Sequence, residues 1–358
     1  MDSFDGIIEK RAGARVKKES PKVSVIIPNY NTAGYISETL DSVIGQTFKD
    51  YEIIVINDGA PDTLELKKVL ENYWDDIIFF DKSRNEGTSA TRNLAVKFAR
   101  GEIISFLDAD DIWQPSYLKE QIEFLEKNNY DMVYTDAELF GISNQTGKSL
   151  MAWNPQQGDV TRRMLIEGRC HILPSGTLIK KSVLQAVGGF DPNVKRTEDF
   201  DLWMRLVFSG IRIGYLRKNL FKFRLSPKSG SGDSLQRLER CTDIWHILKK
   251  KLPFTDEETA IINRHIEMGD AAVIRARGRY YINQKNWSAA QKAFREAKQK
   301  AKELKLPLKH RLKMSAVLFL LNVYPNLLLK LFRNLRADEV EYMPTTGSAG
   351  VSPADGIH

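Results

Sequence analysis

Cysteine is nearly absent from this chain, which has only Cys170 and Cys241 among its 358 residues. Two cysteines are too few for the disulfide framework of a small secreted protein, and they fit a reducing compartment. The first twenty residues contain no apolar segment of the kind a secretory signal peptide needs, so we expect residues 1–21 to form a flexible basic leader. No uninterrupted apolar run reaches about 18 residues, so the sequence predicts no ordinary membrane-spanning helix.

The sequence also lacks the common phosphate and metal motifs. After the first apolar strand it reads P-N-Y-N-T-A, where a dinucleotide site needs G-x-G-x-x-G, and no P-loop is present. The acidic stretch DADDIWQPSYLKE has Trp113 where an EF-hand needs glycine and Lys119 where it needs glutamate. The five histidines show no zinc spacing. These absences exclude an ordinary dinucleotide, P-loop, EF-hand or zinc-finger protein.

Positive charge is present in excess, with a net charge of +7 and an isoelectric point of about 9.1. The excess is uneven, because residues 241–335 hold 19 lysines and arginines against eight acidic residues. Such a balance fits an anionic substrate, an anionic membrane surface or nucleic acid, and it does not choose among them.

Short, mostly apolar segments of five to ten residues alternate with helical patterns over the first 140 residues. The strands are VSVII, YEIIVIND, IIFFD, EIISFLD and YDMVYTDAEL, and the second half adds a strand at Thr177–Ile179. Runs without polar alternation are typical of strands buried on both faces, and intervening helices indicate parallel pairing. The sequence therefore predicts an α/β fold with a mostly parallel sheet flanked by helices, followed by an all-helical C-terminal region.

Three of these strands end in polar or acidic residues. Pro28 to Asn31 follow the first strand, Asn57-Asp58-Gly59 the second, and SFLDADDIW carries Asp108, Asp110 and Asp111 at the end of a buried strand. In open α/β sheets the ligand lies outside the carboxyl ends of the strands. One acidic turn is explained by chance, whereas three polar strand ends converging on one crevice indicate a site.

A second acidic pair, Glu198-Asp199, opens an amphipathic helix that contains Leu202 and Trp203. Acidic residues in the first turn of a helix also complement the helix dipole, which is an alternative reading of this pair.

The motifs taken together resemble the family 2 glycosyltransferases, which are nucleotide-sugar-dependent inverting enzymes with the GT-A fold. The matching pieces occur in the family's order between residues 22 and about 225. They are VSVIIPNYN, LDSVIGQTFKDYEIIVINDGAPD, NEGTSATRN, GEIISFLDADDIWQPSYL, VGGFD and TEDFDLWMRL. One departure is Asn57-Asp58-Gly59-Ala60 where the family usually has D-D-G-S, and the base-reading aspartate is retained.

The resemblance implies roles for individual residues on the donor side. Asp110 is the expected metal ligand, with Asp108 beside the donor ribose and also near the metal. Pro28 and Tyr30 are expected at the nucleotide base, with Asp58 reading the base edge. Arg92, in the ATRN match, is expected to face the diphosphate. Asp111 is expected to support the loop and to tolerate substitution best.

The TED match implies that Asp199 is the general base, with Glu198 contacting the acceptor. A carboxylate within hydrogen-bond reach of a hydroxyl can take its proton, and Mn²⁺ or Mg²⁺ on carboxylates can stabilise charge that develops on a diphosphate leaving group. The expected activity is metal-assisted, inverting transfer of a sugar, as a hexosyl or other glycosyl group, from a nucleoside diphosphate, with UDP favoured. Two alternatives remain at this stage: a nucleotidyltransferase, and an inactive GT-A scaffold that binds partners through its helical tail.

The tail is expected to contain a tetratricopeptide-like helical hairpin and a basic amphipathic helix. Gly278, Tyr281, Trp287, Ala290, Phe294 and Ala297 have the spacing of a single repeat, and ordinary amphipathic helices are the alternative. An apolar stretch interrupted by Pro325 follows. It is flanked by Lys309, Arg311, Lys313, Lys330, Arg333 and Arg336. One-signed flanking charge favours an interfacial helix on an anionic leaflet over a core helix.

The expected domains are a leader over 1–21, a GT-A catalytic domain over 22–235, a helical tail over 236–336 and a disordered end over 337–358. The expected partners are a nucleotide sugar, a glycan or lipid-linked acceptor, and an anionic membrane surface through residues 309–336, with no nucleic acid. This set predicts a cytoplasmic enzyme, peripheral on the inner face of the plasma membrane, in cell-envelope polysaccharide synthesis.

Overall fold

A computed structural model describes residues 6–16, 20–141, 146–151, 157–195, 197–225 and 234–334. The chain divides into two compact units. The first comprises residues 1–164 and 170–226, and the second comprises residues 165–169 and 227–358. The predicted disordered end, the segment 226–233 and parts of the predicted leader lie outside the described residues.

Ten strands of the described residues form one sheet in the first unit. They are β1 (Ile7–Ala12), β2 (Val23–Asn29), β3 (Tyr51–Asn57), β4 (Ile77–Lys82), β5 (Ile103–Phe106), β6 (Ile112–Trp113), β7 (Met132–Gly141), β8 (Gly158–Asp159), β9 (Thr177–Lys180) and β10 (Ile213–Leu225). Their order is β1-β4-β3-β2-β5-β9-β7-β10-β6, with β8 also paired to β10.

Four neighbouring strands of the sheet are parallel, as the apolar runs predict. Strands β4, β3, β2 and β5 pair in parallel, and so do β7 and β10. Strand β9 enters antiparallel between β5 and β7, and β6 and β8 pair antiparallel with β10. Nearly every residue of β2, β3 and β4 is buried, because helices cover both faces of the sheet. The predicted α/β fold with a mostly parallel sheet is confirmed, and the antiparallel strands make the sheet mixed.

Seven helices belong to the chain segment that carries this sheet. They are α1 (Ile36–Ile44), α2 (Thr63–Leu70), α3 (Thr88–Phe98), α4 (Tyr117–Lys127), α5 (Arg162–Ile166), α6 (Lys181–Ala186) and α7 (Glu198–Phe208). The α1, α2 and α4 helices bury apolar residues such as Leu40, Leu66 and Leu118 in one core with the strands. The helical patterns between the strands therefore correspond to helices that pack against the sheet.

The prediction of a flexible leader over residues 1–21 is wrong for residues 7–12. These residues form β1, which pairs antiparallel with β4 at the edge of the sheet. Glu9 reaches Lys67 at 2.7 Å, and Lys67 also bonds the buried Asp81 at 2.7 Å. The sequence misses this strand because IIEKRA is short and charged, and such residues are common on edge strands.

Five helices make up most of the second unit: α8 (Ser234–Lys251), α9 (Asp256–Asn283), α10 (Trp287–Glu303), α11 (Leu308–Val323) and α12 (Pro325–Asn334). Helix α9 begins with a capping box, in which Thr255 and Glu258 satisfy each other's backbone N–H groups. The predicted helical C-terminal region is confirmed.

The spacing that predicts a helical hairpin corresponds to α9 and α10. Gly278 lies so close to α10 that a Cβ there would meet the Phe294 ring at 2.6 Å. Ala290, Phe294 and Ala297 are buried in the same cluster, and the chain turns between the helices over residues 284–286. Gly278 therefore permits the close packing of this pair.

Pro325 separates α11 from α12, as expected for a residue that favours the first helical position. Within the described residues, no helix has both the length and the apolar character needed to cross a bilayer. The side chain of Arg333, and Arg336 altogether, lie outside the part of the chain that the structure describes.

Candidate active site

The ends of β3, β2 and β5 lie side by side, because these strands are parallel neighbours. Pro28 and Tyr30 lie at the end of β2, Asp58 follows β3, and Asp108 follows β5. Pro28 is half-buried and Tyr30 is 49% exposed. This edge of the sheet therefore offers a proline and an aromatic face beside carboxylates, the arrangement expected from the three polar strand ends.

The loop Asp108–Asp111 is held by contacts from distant parts of the chain. The Asp108 N–H donates to the Ser175 hydroxyl at 3.0 Å, and the Asp111 N–H donates to the Asp108 carbonyl at 3.0 Å. The Thr39 hydroxyl on α1 donates to the Asp111 carbonyl at 2.8 Å. Fixing the backbone in this way fixes the direction of the acidic side chains.

Arg224, at the end of β10, is a part of this site that the sequence does not reveal. Its N–H donates to the Asp111 carboxylate at 2.9 Å, and its Nε donates to the Asp110 carbonyl at 2.8 Å. The guanidinium lies over the rings of Tyr35 and Phe140, with distances to the ring centroids of 4.7 and 4.3 Å. The sequence gives no motif for Arg224, because its contacts with Asp110 and Asp111 connect residues more than 100 positions apart.

The acidic loop concentrates negative charge. Burial, and then the neighbouring Asp108 carboxylate, raise the pKa of Asp110 to about 6. Burial and the charges of Asp110 and Asp108 raise the pKa of Asp111 well above its usual range. Asp111 is 1% exposed, and its Oδ2 is buried without a hydrogen-bond partner. The buried position of Asp111 is not the one expected for the residue of this loop that best tolerates substitution.

These residues fit a divalent cation, since crowded carboxylates and an orphaned carboxylate oxygen are both relieved by a positive charge. Among the described residues, no group of three or more histidine, cysteine, aspartate or glutamate side chains is arranged to hold a metal ion. Mg²⁺ and Mn²⁺ that are shared with substrate phosphates need only one or two protein carboxylates.

Arg92 on α3 joins the acidic loop to the start of α7. Its guanidinium donates to Asp108 at 2.8 Å and to Glu198 at 3.0 Å. The side chain is 3% exposed and packs against the rings of Phe106 and Phe190. Both terminal nitrogens are bonded to carboxylates, and the contact of Arg92 with a diphosphate stays a prediction. Arg92 links the two acidic clusters that the sequence places 90 residues apart.

Asp199, in the first turn of α7, is partly buried, and its carboxylate accepts the N–H of Phe200 at 2.8 Å. Burial, and then the adjacent Glu198 charge, raise the pKa of Asp199 to about 7, against the opposing effect of Arg92. A carboxylate with a pKa near neutrality is suited to accept a proton at physiological pH. The helix dipole accounts for acidic residues at this turn, but it does not account for this raised pKa or for the bond between Glu198 and Arg92.

Asp58 has an engaged carboxylate. Lys82 Nζ lies 2.5 Å from its Oδ1, and the N–H groups of Glu86 and Gly87 donate to its two oxygens at 3.0 and 2.9 Å. Lys82 also bonds Glu86 at 3.0 Å. Asp58 thus holds the segment 83–87, and its Oδ2 keeps capacity for one further donor.

Gly59 allows the segment 83–87 to lie close to the loop that follows β3. It has a φ of +60°, and a Cβ would meet the backbone of Arg84 at 2.4 Å. Lys82 was not singled out by the sequence, because a lysine at the end of an apolar strand gives no signal of the buried carboxylate 24 positions earlier.

Comparison with known proteins identifies the family. The family model described as Glycosyl transferase family 2 matches residues 24–188. An uncharacterized glycosyltransferase of Rickettsia prowazekii is 35% identical over 269 residues, which make up 73% of this chain and 82% of that protein. The chain is a family 2 glycosyltransferase. The matched segment contains the strand-end residues and Arg92, and it ends before α7.

Two further proteins resemble this glycosyltransferase. The UDP-Glc:alpha-D-GlcNAc-diphosphoundecaprenol beta-1,3-glucosyltransferase of Escherichia coli is 31% identical over 226 residues, covering 62% of this chain and 84% of that protein. The mannosyltransferase PcManGT from Pyrobaculum calidifontis, solved with GDP-Man and Mn²⁺, aligns with a TM-score of 0.52 and 18% identity, covering 90% of this chain and 87% of that one. The second likeness establishes the shared GT-A fold.

Proposed function

We propose that this glycosyltransferase moves a sugar from a nucleoside diphosphate, with UDP favoured, to a hydroxyl of a glycan or lipid-linked acceptor, with inversion. The observation that carries the proposal is the Arg92 link between Asp108 and the Glu198-Asp199 turn. It brings the strand-end carboxylates expected at the donor close to a carboxylate with a pKa near 7, as an acceptor base requires.

On the donor side, Pro28 and Tyr30 offer an apolar and aromatic surface for the base. Tyr30 directly follows β2, between the ends of β3 and β5, and its side chain is exposed. An exposed ring at this position is suited to stack on a ligand. Asp58 reads the base edge through its remaining acceptor capacity. The Escherichia coli relative is named for a UDP-linked donor, which favours uracil as the base.

Asp110, with Asp108 beside it, would hold a divalent cation, Mn²⁺ or Mg²⁺. When bound, such an ion supplies positive charge against the negative charge that develops on the leaving diphosphate. The fit rests on the crowded carboxylates and on the unpartnered Asp111 Oδ2. The Pyrobaculum neighbour was solved with Mn²⁺, in agreement with this choice.

Asp199 accepts the proton of the acceptor hydroxyl as the sugar is transferred. Inversion requires the base to lie opposite the leaving group, and Asp199 belongs to a different element from the donor-side carboxylates. Arg92 positions Glu198, which contacts the acceptor. Arg92 therefore acts through the two carboxylates it holds and is a positioning residue in this proposal.

We further propose a lipid-linked acceptor in cell-envelope polysaccharide synthesis, because the Escherichia coli relative is named for a diphosphoundecaprenol substrate. Residues 309–336 would hold the enzyme at an anionic membrane surface on the inner face of the plasma membrane. The concentrated basic charge of this segment supports that location.

The test is donor hydrolysis and sugar transfer from a panel of UDP and GDP sugars with Mn²⁺, comparing wild type with Asp199→Asn. The loss of a general base lowers kcat by about 10² to 10⁴, with an unchanged affinity for the nucleotide. Asp75→Asn, an exposed carboxylate of the same unit, is the matched control and keeps wild-type rates.

An Asp199→Asn protein that is as active as wild type would remove Asp199 from the mechanism. A wild-type protein that neither hydrolyses nor transfers from any donor would favour the inactive scaffold. Release of pyrophosphate with formation of a nucleotide sugar would favour the nucleotidyltransferase.

A further inference from the structure

Helices α11 and α12 present apolar residues on two opposite faces. One face packs in the core of the second unit and includes Met314, Leu321, Leu328 and Leu329, each less than 10% exposed. This packing on the rest of the unit fixes the orientation of both helices. The opposite face therefore points away from that core.

The opposite face is also apolar. It consists of Leu308, Leu312, Phe319, Val323, Leu327 and Leu331, and we refer to these six residues as the outer face. The four members in α11 are Leu308, Leu312, Phe319 and Val323. Successive members are four, seven and four positions apart, a spacing that places them on one side of the helix. Phe319 is 61% exposed and Leu312 is 59% exposed. An apolar stripe of this length facing water marks an interaction surface.

Charge around the outer face has one sign. Lys309, Lys313 and Lys330 are exposed on the same two helices. Between Glu303 and Asp338 the sequence has seven lysines and arginines and no acidic residue. A second copy of this chain would bring like charges together at a two-fold interface, which disfavours self-association. An anionic surface complements both the charge and the apolar stripe.

We propose that the outer face inserts into the headgroup region of an anionic bilayer, with α11 and α12 lying along the membrane surface. At 1.5 Å per residue, the 16 residues of α11 span about 24 Å, which is short of a bilayer core and long enough for an interfacial helix. The apolar side chains enter between headgroups while the lysines contact anionic lipids. This inference rests on the proposed function in placing residues 309–336 at a membrane, and it adds the side chains that make the contact.

Cosedimentation of the full chain with vesicles tests the apolar part. Wild type binds phosphatidylcholine vesicles that contain phosphatidylglycerol, and the double variant Leu312→Gln/Phe319→Gln binds about tenfold to a hundredfold more weakly. Glutamine keeps a high helix propensity, so the fold is retained. The matched control is Leu64→Gln/Tyr280→Gln, two residues that are exposed elsewhere in the chain. An equal loss in this control, or none in the variant, overturns the proposal.

The lysines are tested in the same assay. Lys309→Gln/Lys313→Gln/Lys330→Gln lowers binding about a hundredfold, since each cation near the surface contributes about a factor of five to six. The control exchanges Lys292, Lys298 and Lys302, exposed lysines of α10, and retains binding. Equal binding of wild type to vesicles with and without phosphatidylglycerol overturns the electrostatic part. Dimers in sedimentation velocity that the outer-face variant dissociates overturn the lipid assignment.

Failure here is distinguishable from failure of the proposed function. The outer-face variant is expected to hydrolyse donor sugars at the wild-type rate, because none of its substitutions lies in the first unit. Vesicle binding without any sugar transfer would contradict the enzyme and leave this surface intact. Sugar transfer without vesicle binding would contradict the membrane proposal and leave the proposed enzyme activity intact.

Discussion

The two units of this protein differ in where their charged side chains lie and in how these are paired. In the first unit, buried charges find their partners within the fold: Arg92 bonds Asp108 and Glu198, and Lys82 bonds Asp58. In the second unit, α11 and α12 carry lysines and no carboxylates, and they expose apolar side chains beside them. These buried ion pairs of the first unit form within the fold, whereas α11 and α12 of the second unit expose an apolar face flanked by lysines.

This difference predicts which property, folding stability or binding, a substitution in each unit changes. A buried charge must be paired, because its desolvation is costly, so the first unit is sensitive to the loss of a single partner. An exposed lysine is well solvated and contributes little to folding. Substitutions in the two units are therefore expected to separate stability from binding.

The largest effect is expected at Arg92. Replacing it by Leu leaves the Asp108 and Glu198 carboxylates crowded without their shared cation. The free energy of unfolding then falls by about 2–3 kcal/mol, below the value for a fully buried pair because both carboxylates are partly exposed. Denaturant unfolding measures the change.

Arg15→Leu is the control for that substitution. Arg15 forms ion pairs with Asp75 and Asp76 and is 64% exposed, so its removal is expected to cost about 0.5 kcal/mol. Equal losses for the two variants would show that the Arg92 link contributes no more than a surface pair.

A smaller effect is expected at Gly278 in the second unit. In Gly278→Ala the new methyl group meets the Phe294 ring, which is itself buried. Overpacking costs about 1–3 kcal/mol, and the better helix propensity of alanine returns about 1, so the net loss is about 1 kcal/mol. Thermal unfolding measures it, and donor hydrolysis stays at the wild-type rate.

Gly34→Ala supplies the comparison, because nothing lies within 4 Å of a Cβ at Gly34. A stability for Gly278→Ala equal to or above that of wild type would mean that the α9–α10 contact adjusts without cost.

The smallest effect is a shift in the pH profile. A general base acts in its deprotonated form, so kcat/KM is expected to fall as pH decreases through about 7, the pKa of Asp199. Glu198 raises that pKa, as does Asp108, and Arg92 lowers it. Glu198→Gln removes one negative neighbour and moves the acidic limb to lower pH, as a pH–rate series measures.

Arg92→Leu is expected to move the same limb to higher pH, because it removes a positive neighbour. Shifts of both variants in one direction would contradict the assignment of this limb to Asp199.

Much of the parallel sheet is predictable from the apolar runs. Strands β2, β3, β4 and β5 each come from a short run without alternation, and burial on both faces requires that pattern. The strand-end residues Asp58 and Asp108 follow directly, because parallel strands share a carboxyl edge. Strands β1, β6, β8 and β10 escape prediction, since they are short or carry charged residues and are stabilised by pairing with distant strands.

The sequence by itself determined the fold class, the order of the acidic motifs and the one-signed charge of the tail, because each is a local pattern of residue type and spacing. Only the tertiary structure decided that Arg92 joins the acidic loop to α7, that Arg224 and Lys82 hold the site, and that α11 keeps an outer apolar face. The reason is that such contacts join residues far apart in the chain, and burial determines which side chains remain free for a partner.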